Sequence, residues 1–170
     1  MRWRQVALDV ALVVTALVVE LVVLARLHLP GATPDLLLVV VVALALAHGP
    51  RHGMAVGFGA GLALDLAPPT VTPLGQWALV FCVVGFLVGR ARGEVERSVW
   101  VPFLIVAIAA AGEVLGFAAL SVIFGEHGVG LSRLTVLVVT GVAYDLVLTP
   151  FVLPVVTRLA ARLEPGGGPR

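Results

Sequence analysis

The chain has 170 residues, of which 60% are hydrophobic and 12% charged, and its mean hydropathy is +1.11. Globular chains carry roughly 45–50% apolar and about 25% charged residues, so a water-soluble fold of this composition would expose large apolar patches, and we exclude it. The net charge of +1 gives no indication of a nucleic-acid partner, and we expect none. The composition predicts an all-α integral membrane protein surrounded by lipid.

Six apolar segments follow one another along the chain, separated by turns that contain Gly, Pro or Arg. A helix crosses the hydrocarbon layer with about 20 apolar residues, so the second and third segments, with about 14 each, are short. We predict a single six-helix transmembrane domain over residues 1–163 and a disordered cytoplasmic tail over residues 164–170. The predicted helices cover about residues 6–24, 34–47, 54–67, 74–89, 99–124 and 134–159.

The first segment begins with basic residues, as a signal peptide does, but its apolar run is long and contains Asp9 and Glu20. We therefore predict a retained helix. Asp9 and Glu20 are separated by about three helical turns, so they project from one face with Ala16 between them.

Turn and breaker residues delimit the later helices. Residues 33–35, with the sequence Thr-Pro-Asp, are typical of a helix start and open the second helix. Residues 48–53 predict a polar turn before the third helix. Pro150 and Pro154 are predicted to interrupt the sixth helix, because proline cannot donate a backbone hydrogen bond.

The arginines predict the orientation. With six spans and a cytoplasmic N-terminus, nine of the eleven arginines fall on the inner side, and only Arg26 and Arg133 fall outside. This excess is the positive-inside pattern, and it places both termini in the cytoplasm. The loop between the fourth and fifth helices is the predicted cytoplasmic basic loop, with Arg90, Arg92 and Arg97.

Acidic residues within apolar segments are the most informative polar residues, since a charge at a helix centre costs roughly 2.5–3.5 kcal/mol. They either join helices to one another or line a path for protons or substrate, and we favour the structural interpretation. Glu113 and Asp145 are expected to face the bundle interior, protonated or hydrogen-bonded to groups such as Ser121, Thr140 or Tyr144. The predicted buried polar residues are Asp9, Glu20, Asp35, Asp65, Glu113 and Asp145.

Glycines recur at a spacing of four residues, which lets helices approach closely in lipid. The row of Gly53, Gly57 and Gly61 predicts that the third helix lies at the centre of the bundle. Such glycines serve either packing within the chain or binding of another membrane protein. The predicted set is Gly53, Gly57, Gly61, Gly85, Gly89, Gly112 and Gly116.

No motif of a zinc protease, P-loop enzyme, serine hydrolase or paired-cysteine site occurs in the chain. We therefore expect no enzyme activity, no catalytic residue and no cofactor. His48 and His52 have the spacing of a metal pair. They flank a Gly-Pro turn, however, and no Cys or acid lies nearby in the sequence, so we expect no metal site.

Short motifs follow one another in order along the chain, with the most specific ones between residues 34 and 90. They are Pro34-Asp35-Leu36-Leu37-Leu38, Gly49-Pro50-Arg51, Gly57-Phe58-x-x-Gly61-Leu62-x-x-Asp65, Pro73-Leu74-Gly75, Ala78-Leu79 and Gly85-Phe86-Leu87-Val88-Gly89-Arg90, with a looser match at Tyr144-Asp145. In these motifs the chain resembles the bacterial rod shape-determining protein MreD, over almost its whole length.

The resemblance implies a non-catalytic scaffold of the cell-wall elongation machinery in the bacterial plasma membrane. The implied partner is an MreC-like single-span membrane protein, with MreB filaments and a wall-synthesis glycosyltransferase–transpeptidase pair nearby. The implied fold is a six-helix bundle similar to the substrate-binding subunits of energy-coupling-factor vitamin transporters.

That similarity leaves open a second hypothesis, a substrate-capture subunit of such a transporter. It requires a polar, ligand-sized cavity near the outer face, and the outer loops offer few donors or aromatic residues besides Trp77. A third hypothesis is a proton-coupled transporter that uses Glu113 and Asp145.

Overall fold

The computed structural model describes residues 2–27, 30–67, 73–98, 100–125 and 130–163. Within these ranges the protein has no strand and six α-helices, which are α1 (Arg2–Val22), α2 (Leu36–His48), α3 (Pro50–Leu66), α4 (Gln76–Arg90), α5 (Val101–Ile123) and α6 (Leu131–Leu163). Short 3-10 turns, Leu24–Leu27 and Arg92–Arg97, follow α1 and α4. The tail predicted to be disordered lies outside the described residues.

Three of these helices, α1, α5 and α6, are long and apolar enough to cross a membrane. Their outer faces are apolar: Ile108 on α5 and Phe151 on α6 are 63% and 70% exposed. On α1 a row of valines at four-residue spacing is about half exposed, namely Val6, Val10, Val14 and Val18. Such surfaces are unfavourable in water and match a lipid surrounding.

The centre of the bundle is α2, and the prediction that the third helix lies there is wrong. Every side chain from Leu37 to Ala45 is at most 4% exposed. The other helices surround α2, whereas α3 buries only one face. A helix that is apolar on all sides is stable when either protein or lipid surrounds it. The helix α2 is apolar throughout from Leu36 to Ala47, and protein surrounds it.

The turn between α2 and α3 is shorter than predicted. Only Gly49 separates the two helices, and its φ of +91° is a conformation that favours glycine. Pro50 then occupies the first turn of α3, where its missing N–H costs nothing. Residues 50–53, predicted as a polar turn, are therefore helical.

The glycines of α3 and α4 bring these two helices into backbone contact. A methyl group added at Gly57 would overlap the carbonyl oxygen of Phe81, and one added at Gly61 would overlap that of Trp77. A methyl group added at Gly53 would likewise overlap the carbonyl oxygen of Gly85. At the end of the pair, Gly89 meets the backbone of Pro50. The row on α3 is therefore occupied by α4, which runs antiparallel to it.

The predicted glycine pair on α5 behaves differently. A methyl group at Gly112 would meet nothing within 4 Å, so Gly112 packs against no described part of the chain. Gly116 has only ordinary contacts with the Val80 side chain, the nearest at 3.7 Å. Sequence spacing alone does not distinguish a glycine at a helix contact from one that faces outward.

The helix α6 runs without a break through Pro150 and Pro154, so the predicted interruption is wrong. Each proline removes one backbone donor from the hydrogen-bond ladder, and the bonds on either side still hold the helix. Two threonines bond back to carbonyl groups one turn earlier: Thr149 to Asp145 at 2.7 Å and Thr157 to Leu153 at 2.8 Å.

Candidate functional site

Acidic side chains from neighbouring helices meet at the first turn of α2. Asp145 Oδ1 on α6 accepts a hydrogen bond from the Asp35 backbone N–H at 2.8 Å. Glu20 Oε2 on α1 accepts one from the Leu37 N–H at 3.0 Å. Asp35 caps its own helix by accepting from the Leu38 N–H. Two neighbouring helices and the cap residue of α2 thus contribute acceptors to one helix start.

This arrangement follows from the burial of α2. The first N–H groups of a helix have no partner within it, and the positive end of its dipole favours acidic groups. Since protein rather than water surrounds α2, neighbouring helices must supply the acceptors. Glu113 on α5 is buried and lines the same cavity as Glu20, Asp35 and Asp145. The contacts of Glu20 and Asp145 favour the structural interpretation of these acids, as groups that join α1 and α6 to α2.

The hydroxyl groups expected near Glu113 and Asp145 have other partners in the structure. Thr140 Oγ1 accepts from the Ala32 N–H at 2.9 Å. Tyr144 donates to a carbonyl in the segment before α2, and Ser121 Oγ accepts from the side chain of Gln76. The first two bonds join the segment before α2 to α6, and the third joins the start of α4 to α5.

A cavity of about 500 Å³ lies beside these acids. We call it the acid cavity; its principal lining residues are Glu20, Asp35, Trp77, Glu113, Phe117 and Asp145. The rings of Trp77 and Phe117 stack with their centres 4.2 Å apart. The outer loops offer few polar or aromatic groups, and the cavity is lined instead by residues within helices, such as Glu113 and Phe117 of α5.

Asp65, at the end of α3, caps the start of α4. Its carboxylate accepts hydrogen bonds from the backbone N–H groups of Gly75, Trp77 and Ala78 at 2.9, 3.2 and 3.1 Å. Gln76, the first residue of α4, is 1% exposed, and its side-chain amide donates a hydrogen bond to the Ser121 hydroxyl on α5. Sequence reasoning did not single out Gln76, although an amide at the start of an apolar segment was the signal that could have found it.

Asp9 lies on the same face of α1 as Glu20 but near its opposite end. Its Oδ2 atom is 2.8 Å from Nε2 of His52, and Asp9 is 5% exposed. Between the two acids, Val13 and Ala16 are also buried. Through this narrow face, α1 packs against the rest of the bundle.

An apolar groove of about 380 Å³ lies between α1 and α3. The α3 side of this groove includes Ala55, Gly59 and Ala63, at four-residue spacing. A methyl group at Gly59 would meet no atom of the described residues within 4 Å. This second row of small residues lies about 200° around the helix from the first, and sequence reasoning missed it.

The basic loop after α4 is exposed. Arg90 ends α4 with its guanidinium 5.9 Å from the centre of the Phe86 ring. Arg92 is exposed in the following 3-10 turn, and the Arg97 side chain lies outside the described part of the structure.

A family model described as rod shape-determining protein MreD matches residues 4–155 of the chain. No curated protein and no solved structure matches it.

Proposed function

The chain belongs to the MreD family of rod shape-determining proteins, and from this premise we propose that it is a non-catalytic scaffold that binds an MreC-like single-span protein. The family gives the chain a role in rod-shape determination and is not a known enzyme family. The three long apolar helices are those of a membrane protein. The partner, the scaffold role and the plasma membrane as its location belong to the proposal.

The observation that supports a helical partner is the open groove between α1 and α3. Without a hydrophobic drive in lipid, helices associate through close packing at small residues. The row of Gly53, Gly57 and Gly61 is not available for this, because α4 covers it. The row of Ala55, Gly59 and Ala63 is open, and valines of α1 form the opposite wall. We propose that a single apolar helix of the partner packs against these two walls.

The proposed topology has six membrane segments, with both termini and the arginine-rich loop in the cytoplasm. The alternating helix directions support it: the antiparallel contact of α3 and α4 puts Arg51 and Arg90 at the same end of the bundle. The three short helices pack among longer neighbours and do not each need to match the full lipid thickness. Arg90 and Arg92 then face anionic lipid and cytoplasmic partners such as MreB filaments.

The partner surface is tested by capture of the MreC-like protein by this chain after co-expression. We expect Gly59→Leu to fill the groove and to lower capture by about tenfold, which corresponds to roughly 1.4 kcal/mol. The matched control is Gly112→Leu, which places the same side chain at an equally open glycine on α5. Capture that is unchanged by Gly59→Leu, or lowered equally by both variants, would contradict the proposed surface.

The alternative function, a substrate-capture subunit, has no support from the comparisons. The acid cavity is large enough for a small molecule, but its polar lining consists mainly of carboxyl groups. Glu20, Asp35 and Asp145 are already engaged with the backbone of α2. To bind a vitamin-sized ligand, the cavity would have to offer hydrogen-bond donors in addition to acceptors. The scaffold is therefore the better-supported function.

A further inference from the structure

Three potential metal ligands meet at the end of the bundle opposite the acid cavity. His48 ends α2, His52 lies in the first turn of α3, and Asp9 comes from α1. One ligand atom from each residue lies within 4.8 Å of the other two. The two imidazole rings have their centres 4.5 Å apart. The Gly49 turn, which in the sequence argued against a metal pair, brings the two rings together.

Two buried atoms in this cluster have no hydrogen-bond partner among the residues that the structure describes. They are Oδ1 of Asp9 and Nε2 of His48. Leaving buried polar atoms unpaired is unfavourable because their desolvation is not compensated, so native proteins rarely do so without a reason. Both atoms belong to the types that coordinate transition metals. They are the observation that distinguishes this cluster from an ordinary Asp–His contact.

The remaining contact of His48 orients its ring for coordination. Its Nδ1 atom lies 3.3 Å from the Leu44 carbonyl oxygen. Because a carbonyl oxygen only accepts, this hydrogen bond places the proton on Nδ1 and leaves a lone pair on Nε2. Metal-bound histidines commonly use a backbone carbonyl in this way to fix ring orientation and tautomer.

We propose that Asp9, His48 and His52 form a binding site for a divalent transition-metal ion, with zinc as the best match. Two imidazole nitrogens and one carboxylate oxygen are a ligand set that zinc accepts, with a fourth position left for water. An ion at bond lengths of about 2 Å requires only small side-chain movements to draw in atoms that are within 4.8 Å of one another. The 2.8 Å contact of Asp9 with His52 is then replaced by shared coordination.

The site links α1 to the corner between α2 and α3. Among the described side chains of α1, only Asp9, Val13 and Ala16 are buried, and Leu12 and Leu17 pack partly buried against the core. A metal that coordinates Asp9 together with two histidines of the corner fixes the Arg-bearing end of α1 to the bundle. Asp9 and His52 also line the end of the groove assigned to the partner, so the ion holds the two walls of the groove at a fixed separation.

The site is tested on the whole chain in detergent, purified through a tag without histidine, stripped with a chelator and titrated with Co²⁺. Co²⁺ bound to such ligands gives visible d–d absorption. We expect saturable absorption at a single ion per chain that Zn²⁺ abolishes, and a higher unfolding temperature with Zn²⁺ because the ion binds the folded state. No partner protein is present, so the outcome does not depend on the proposed function.

Variants identify the ligands. We expect Asp9→Asn, His48→Gln and His52→Gln each to weaken Co²⁺ binding by more than about tenfold. The matched controls are His28→Gln and His127→Gln, which alter the other two of the four histidines and should leave binding unchanged. An unmodified chain that shows no saturable absorption overturns the proposal even if a variant fails to fold. Equal loss in the control variants overturns it as well.

Discussion

Single acidic residues in this protein act mainly on backbone N–H groups at helix starts. Asp65 is the clearest case, because one carboxylate accepts from three N–H groups of the α4 start. Such bonds matter more here than at a surface, since the Ala78 N–H is buried and has no water to replace the lost acceptor. The role of Asp65 is therefore structural, and its removal should act on stability.

We expect Asp65→Asn to lower the free energy of unfolding by about 1–3 kcal/mol. The asparagine side chain keeps one acceptor oxygen but directs an NH₂ group at donors that already need an acceptor. The measurement is equilibrium unfolding in mixed micelles. Glu94→Gln in the exposed loop is the control, with an expected change below about 1 kcal/mol. A loss in Asp65→Asn no larger than in this control would show that the cap contributes little.

The position of a single residue could be predicted from the sequence only where its neighbours along the chain indicate it. The acids within apolar segments identified Glu113 and Asp145 as interior groups, and both are buried. The contact of Asp9 with His52 joins residues far apart in the chain and depends on how α1 packs against α3. No local signal connects such residues, so the three-residue cluster emerged only from the structure.

Among the helices, α3 has the most unusual surface, with small residues on two opposite faces. One row is in contact with the α4 backbone, and the other is open. Both rows have the same four-residue spacing, and a sequence cannot tell which row faces a neighbour. The all-round apolar sequence of α2 is compatible with a central position, but it is equally typical of a helix that faces lipid.

We expect Gly57→Ala to destabilise the protein by about 1–3 kcal/mol, because the added methyl group meets backbone atoms of α4 that cannot move without separating the helices. Gly59→Ala, two residues along the same helix, adds the same group in open space and should change stability by less than about 1 kcal/mol. Equilibrium unfolding of the two variants in the same detergent is the measurement. Similar values for both would mean that the contact of α3 with α4 is not as close as the structure has it.

At the scale of the whole molecule, the two ends of the bundle have different chemistry. The end where α2 begins carries the acid cavity, and the end where α2 finishes carries His48, His52 and most of the arginines. The arginine distribution could be read directly from the sequence. The sequence does not reveal that the acid cavity forms at one end of the bundle and that His48 and His52 meet at the other. This arrangement results from the alternating directions of the helices around α2.

This polarity gives a direct test of orientation. In a chain with its only cysteine removed by Cys82→Ala, we expect Ser132→Cys to react with a membrane-impermeant maleimide in intact spheroplasts. Arg92→Cys should react only after the membrane is opened, because positive charge favours the cytoplasmic side. Both positions are exposed at the start of α6 and after α4, so the difference in labelling reports the side of the membrane rather than burial. Labelling of Arg92→Cys from outside would invert the topology and remove the proposed contact of the basic loop with cytoplasmic partners, while the cavity, groove and histidine cluster would keep their geometry.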